Sequence, residues 1–246
     1  MIPTEEVVTA PTASLEYLLE DQRRMAAAKN YFAWQGRLVR PELGRRVVEV
    51  GCGIGNFTGM LLDREMVIAL DIQQACIDRL LQRYPDRRNL QAHAFDAASP
   101  EFVGLARYQP DSCVCLNVLE HVDDDQRAVQ AMSSVLVPGG RIVLLLPAFP
   151  SLRGPVDQNL GHFRRYRRRD VHALADAAGL RIRKLHFINF VGFFGWWTNG
   201  HLFRLNANPE WQIRLFDSCI APLLSRLEAI APPPFGQSLF AVLEKP

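Results

Sequence analysis

The stretch Val47-Val48-Glu49-Val50-Gly51-Cys52-Gly53-Ile54-Gly55-Asn56 decides the fold. Its β-branched apolar residues read as a buried strand, and three glycines at alternate positions follow at once. A glycine-rich turn between a strand and a helix lets the backbone approach a ligand closely and aims unpaired helix amides at it. The dinucleotide fingerprint asks for glycine at the first, third and sixth positions, but the sixth here is Asn56, so the spacing is GxGxG. Asp71, twenty residues after Gly51, ends the second apolar run, where an acid binds ribose hydroxyls. NAD enzymes and other nucleoside binders share such an acid, so it leaves both open.

Outward from this turn, short apolar runs recur at Arg46–Val50, Val67–Leu70, Leu90–Ala94, Ser112–Leu116 and Gly140–Leu146. Helical periodicity fills Gln74–Arg83 and Asp124–Leu136 between them, and such alternation predicts a parallel sheet covered on both faces. Leu15–Tyr31 has no Gly or Pro and reads as helical. After Pro147 come a Pro/Gly/Arg-rich loop, a helix Asp170–Ala178 with Asp170 as N-cap and Gly179 as its stop, a strand Arg181–Phe187 and a last strand Ser238–Glu244. The 246 residues, 48% hydrophobic and 22% charged, suit one domain with a large core. The longest runs without a charge or strongly polar side chain, such as 142–150 and 190–197, fall short of the roughly 18 residues of a membrane span. The acidic start MIPTEEVVTAP has no apolar segment of a signal peptide, and five cysteines without paired CxxC spacing suit reduced thiols. A cytoplasmic protein with no metal site is expected.

Glu49-x-Gly51-x-Gly53-x-Gly55 with Asp71 resembles the first motif and second-strand acid of the class I S-adenosylmethionine (SAM) methyltransferases. The resemblance continues through Phe95-Asp96-Ala97, Asn117-Val-Leu-Glu120-His121 and Leu136-Val-Pro138-Gly139-Gly140, in the family's order. It implies an α/β, Rossmann-like seven-stranded sheet with helices on both faces and an antiparallel last strand. It also implies one domain over 1–246: a helical cap (1–44), a SAM-binding core (45–147), a basic substrate loop (148–170) and an insertion (190–235) before the last strand. Gly51 and Gly53 would make room for the methionine end of SAM, Glu49 would hold its ammonium, and Asp71 would accept the ribose hydroxyls. Asp96 and the Ala97 amide would read the adenine, with Ile72 on its face. Asn117 belongs to the same cofactor set, and Tyr31 and Trp34 resemble a helix that closes over the cofactor.

The methyl acceptor is less constrained. No (N/D)PP(Y/F) follows the fourth strand and no Pro-Cys pair exists, which excludes amide or exocyclic base nitrogens and cytosine-C5 chemistry. The net charge of +2 conceals a segment, 151–204, with ten basic and three acidic residues. Within it, Asp157-Gln-Asn-Leu-Gly-His162-Phe-Arg-Arg165-Tyr166 resembles a signature of small-molecule methyltransferases. Arg165 and Tyr166 are expected to face the substrate, with Arg167–Arg169 solvated. A cationic pocket implies an anionic carboxylate or phosphonate acceptor that needs no base. A hydroxyl acceptor would instead use His121 or His162 as catalytic base. Other readings stay open: a nucleic-acid binder or nucleic-acid methyltransferase using the basic segment, though no nucleic acid is expected, and a catalytically silent SAM-binding protein. The apolar run Phe190–Trp197 suits a pocket cap, a homodimer interface or peripheral membrane contact.

Overall fold

The computed structural model describes residues 15–246; the first fourteen positions of the expected cap lie outside the described residues. One sheet contains β1 (Arg46–Val50), β2 (Met66–Asp71), β3 (Leu90–Ala94), β4 (Ser112–Leu116), β5 (Arg141–Pro147), β6 (Arg181–Ile188) and β7 (Ser238–Glu244). The strand order is β3-β2-β1-β4-β5-β7-β6. The first five strands pair in parallel, and β7 runs antiparallel between β5 and β6. Nine α-helices are described: α1 (Leu15–Met25), α2 (Lys29–Val39), α3 (Gln74–Arg83), α4 (Asp125–Val135), α5 (Pro155–Asn159), α6 (Arg168–Ala177), α7 (Phe190–Trp197), α8 (Glu210–Leu215) and α9 (Ala221–Ile230).

Side chains alternate across a strand, so a strand that is apolar at every position must be covered on both faces. Val48, Val50, Ile142, Leu144 and Leu146 enter one core, with Met132 of α4 and Leu174 of α6. Val47, Val143 and Leu145 enter the other, with Trp34 of α2, Ile77 and Leu80 of α3 and Leu224 of α9. Each fully buried aliphatic contributes roughly 1.5–3 kcal/mol relative to exposure, so these two layers fix the plane from whose carboxyl edge the site is built.

Three local expectations are corrected. Leu15–Tyr31 is not one helix: the chain breaks at Ala26–Ala28, between α1 and α2. Alanine favours helix, but α1 must turn over the glycine loop while α2 packs on the sheet. The glycine turn leads into turns and a short 3-10 segment, Thr58–Met60, rather than a regular helix. Asp170 is not the N-cap of α6 but lies one turn in, where its carboxylate accepts the Arg167 amide at 2.7 Å. Gly179, with φ +65°, stops that helix as the sequence suggests.

The insertion is tied to the cap. Asp217, buried between α8 and α9, accepts the Tyr31 amide at 2.8 Å and the Asn30 amide at 3.3 Å. It thereby caps α2, whose own Ala28 offers no side-chain acceptor. Arg37 donates to Ser225 at 2.8 Å, and the Tyr17 hydroxyl donates to the Asn206 carbonyl at 2.9 Å. Among the described residues, no helix is long and apolar enough to cross a membrane.

Candidate active site

A cavity of about 720 Å3 opens where β1, β4 and β5 end, with α1, α2 and the insertion as its roof. This lies within the range of roughly 300–1,000 Å3 usual for small-molecule sites. Of the residues singled out in the sequence, Tyr31, Glu49, Gly51, Gly53, Asn117, His121, His162 and Arg165 line it.

The glycine edge is shaped by backbone conformation. Gly51 and Gly53 have φ of +75° and +52°, and a Cβ on either would overlap Val118 or Gln22. The Gly51 and Cys52 amides both donate to the Leu70 carbonyl at 2.8 Å, which pins the turn to β2. Gln22 Oε1 accepts the Ile54 amide at 2.9 Å, so α1 meets the loop directly. Glu49 is buried and accepts the Thr58 hydroxyl at 2.7 Å. Burial pushes its carboxyl up to about 8, against the pull of the Thr58 hydrogen bond and with a further push from Asp71. Asn117 sits in the left-handed region, φ +54°, which asparagine tolerates.

Asp71, Ile72, Asp96 and Ala97 lie outside the cavity wall, at and beyond the ends of β2 and β3. Asp71 accepts the Gly53 amide and the Gln73 amide, each at 2.9 Å, one on each carboxylate oxygen. Ile72 is 65% exposed, an apolar surface free to take a ligand. Asp96 is exposed and accepts the Ala98 amide at 2.8 Å, whereas Ala97 is buried against the sheet.

Two expected site residues are displaced. Trp34 packs in the core beneath the cavity, 2% exposed, edge-on to Tyr31 at 6.2 Å. It is Tyr31, Phe32 and Gln35 that face inward from α2. Tyr166 points away from the cavity: its hydroxyl donates to Asp125 at 2.9 Å within the opposite core. The cause is local, because residues 165 and 166 run extended beside β5, held by a parallel bridge between Ala148 and Tyr166. Adjacent side chains there must face opposite ways.

Arg165 does line the cavity, but its charge is not free. Asp157, fully buried, accepts Arg165 Nε at 2.7 Å and lies 2.9 Å from His162 Nδ1. Its other oxygen accepts the Gly154 amide at 2.9 Å and Trp196 Nε1 at 3.1 Å. Arg165 also donates to the Ala148 carbonyl at 3.1 Å and stacks 4.7 Å from the Trp196 ring centroid. Burial would raise the Asp157 carboxyl, but the His162 hydrogen bond and the Arg165 charge hold it well below the usual carboxylate range. The neighbouring arginines are spent elsewhere: Arg164 pairs with Asp125 at 3.0 Å, and Arg167, Arg168 and Arg169 are exposed.

The His121 and His162 rings meet edge to face, 4.6 Å between centroids, on the cavity wall. Burial and the adjacent His162 push His121 down to about 3, so it is neutral at pH 7. Glu120, 1% exposed, completes the cluster, and burial raises its carboxyl to about 7. Where no metal ligand set was expected, the fold brings together three side chains of ligand type. Asp157, Glu120, Trp196 and Gln22 were given no role in the sequence reading. Asp157 left a signal, as the one acid in the run 151–169, five residues before His162 and eight before Arg165.

Residues 17–185 match a family model described as a methyltransferase domain. The chain is 30% identical over 106 residues to the ubiquinone biosynthesis O-methyltransferase of Stutzerimonas stutzeri (strain A1501), covering 40% of this chain and 43% of that protein. It is 33% identical over 107 residues to the protein of the same description from Ralstonia nicotianae, covering 42% and 43%. The chain thus spans less than half the length of these curated relatives. A solved SAM-dependent methyltransferase from Archaeoglobus fulgidus matches 93% of this chain and 99% of its own, with a TM-score of 0.61 at 18% identity, a likeness of fold.

Proposed function

This chain belongs to the class I SAM-dependent methyltransferases, and from that premise we propose that it methylates an oxygen of a hydroxyl-bearing small molecule with an apolar body. The observation that carries this reading is the His121–His162 pair on the wall of the same cavity that Glu49, Gly51 and Gly53 edge. The strained glycine turn and the buried Glu49 suit the methionine end of SAM, and Asp71 with Ile72 suits its ribose and adenine. When bound, SAM supplies a methyl group whose bond to sulfur breaks, leaving the electron pair on sulfur, as the acceptor oxygen bonds to carbon.

The chain's own residues then hold, dry and orient the acceptor. An in-line displacement needs the oxygen roughly 3–3.5 Å from the methyl carbon in a water-poor pocket, which the aromatic roof of Phe194, Trp196 and Phe216 favours. His162, braced at Nδ1 by the Asp157 carboxylate, offers the hydroxyl a place for its proton, while the neutral, weakly basic His121 lies against that ring and shapes the wall. An acidic acceptor draws less support, because Asp157 already neutralises Arg165, the one Arg or Lys on the cavity wall among the described residues. The relatives' O-methyltransferase names agree with oxygen as the accepting atom.

The test is incubation with methyl-labelled SAM and paired phenolic and carboxylate acceptors. Label in an alkali-stable ether supports the proposal; label only in an alkali-labile ester overturns the hydroxyl reading. Absence of SAM or S-adenosylhomocysteine binding at millimolar ligand would sink the whole assignment, and binding without any product would favour a silent SAM-binding protein.

Glu49 adds a pH signature. With its carboxyl near 8, the empty protein carries this proton at pH 7, and an arriving ammonium favours the ionised form. SAM binding is therefore expected to release close to one proton at pH 7, and affinity to rise about tenfold per unit between pH 6 and 7. Calorimetry in buffers of different ionisation enthalpy reads the release directly. Glu49→Gln should abolish it, and a wild-type protein that releases no proton would remove Glu49 from the ammonium site.

A further inference from the structure

We propose that Glu120, His121 and His162 form a binding site for one divalent transition-metal cation on the cavity wall. Each offers a ligand atom, and the three atoms lie within 4.8 Å of one another. Zinc bound to imidazole or carboxylate sits about 2.0–2.2 Å from each donor, so small side-chain rotations bring the set into range.

Two independent features point to a ligand. Glu120 Oε2 is buried with no hydrogen-bond partner, an arrangement that costs free energy unless something meets it. His162 is already oriented as metal-binding histidines are: Nδ1 faces the Asp157 carboxylate at 2.9 Å, which fixes the proton there and leaves the Nε2 lone pair outward. Asp157 is itself held by Arg165, Gly154 and Trp196, so the imidazole is braced by a rigid carboxylate. Two imidazoles and one carboxylate, with open positions toward a cavity, suit zinc, manganese or ferrous iron better than magnesium or calcium, which prefer all-oxygen shells.

The role of the ion rests on the O-methylation reading. A hydroxyl oxygen bound to such a cation loses its proton to solvent water near neutral pH, and the resulting oxyanion attacks the methyl carbon. The ion would then activate the acceptor in place of a histidine base.

Metal binding is tested without SAM or acceptor. The EDTA-stripped full chain is titrated with Zn2+ and Mn2+ by calorimetry and with Co2+ by visible absorbance. One ion per chain at about micromolar affinity or tighter, with Co2+ d–d bands, is expected. His162→Ala and the more accessible His121→Ala should each weaken binding at least tenfold while thermal unfolding verifies that they fold. No binding at 1 mM metal, or unchanged affinity in both folded variants, overturns the site. Undiminished methyl transfer by metal-free protein in EDTA overturns the ion's role and returns the hydroxyl proton to His162. Stoichiometric, variant-sensitive binding in a protein that methylates no hydroxyl keeps the site and removes the O-methylation reading.

Discussion

Replacing Asp157 with Ala will lower the thermal midpoint by roughly 6–20 °C. The carboxylate is fully buried and receives four hydrogen bonds, from His162, Arg165, the Gly154 amide and Trp196. Its removal leaves the Arg165 guanidinium, 1% exposed, without its counter-charge. Breaking a buried pair on one side costs about 3–5 kcal/mol, and a chain of this size loses roughly 2–4 °C per kcal/mol. Asp157→Asn keeps an acceptor oxygen but not the charge and should fall between Ala and wild type. Urea or thermal unfolding checks both, and a loss below about 1 kcal/mol for Asp157→Ala would show that the network does not hold the substrate loop.

SAM affinity will fall more than tenfold in Asp71→Ala. A charge-assisted contact contributes about 1.5–3 kcal/mol, equivalent to roughly 10- to 150-fold in Kd. Asp71 has a second task, because its oxygens accept the Gly53 and Gln73 amides and so steady the glycine turn. The thermal midpoint must therefore be read beside the Kd. A change in Kd within threefold, in a variant that folds, would remove Asp71 from the ribose site.

The sheet was legible because its signal is local. β1, β3, β4 and β7 have the bounds that their apolar runs suggest, and in β1, β4 and β7 burial on both faces makes such runs hard to mistake. The break between α1 and α2 was not legible, since Ala26-Ala27-Ala28 argues for helix and only contacts with residues distant in the chain oppose it. Tyr166 and Trp34 failed for a geometric reason: a motif names residues but not the side of the backbone each occupies. Arg165 reaches the cavity as expected, but the anionic acceptor inferred from its charge loses support by arithmetic. A charge count over 151–204 registers a surplus of positive charge, yet the single acid Asp157 neutralises the one arginine that reaches the cavity. Glu120 and Asp157 were visible as letters, and their meaning came only when a loop from beyond β5 met the end of β4.

The insertion of β7 between β5 and β6 has a consequence for biosynthesis. Synthesis proceeds from the N-terminus, so the strand that joins these two neighbours emerges only after both of them. Until it does, β5 and β6 each expose a row of unpaired backbone groups, the kind of edge that recruits other chains. The roof over the cavity waits as well, because Asp217 caps α2 from a point 186 residues further along. A nascent chain stalled before Ser238 would hold its glycine turn but neither a closed sheet nor a finished pocket.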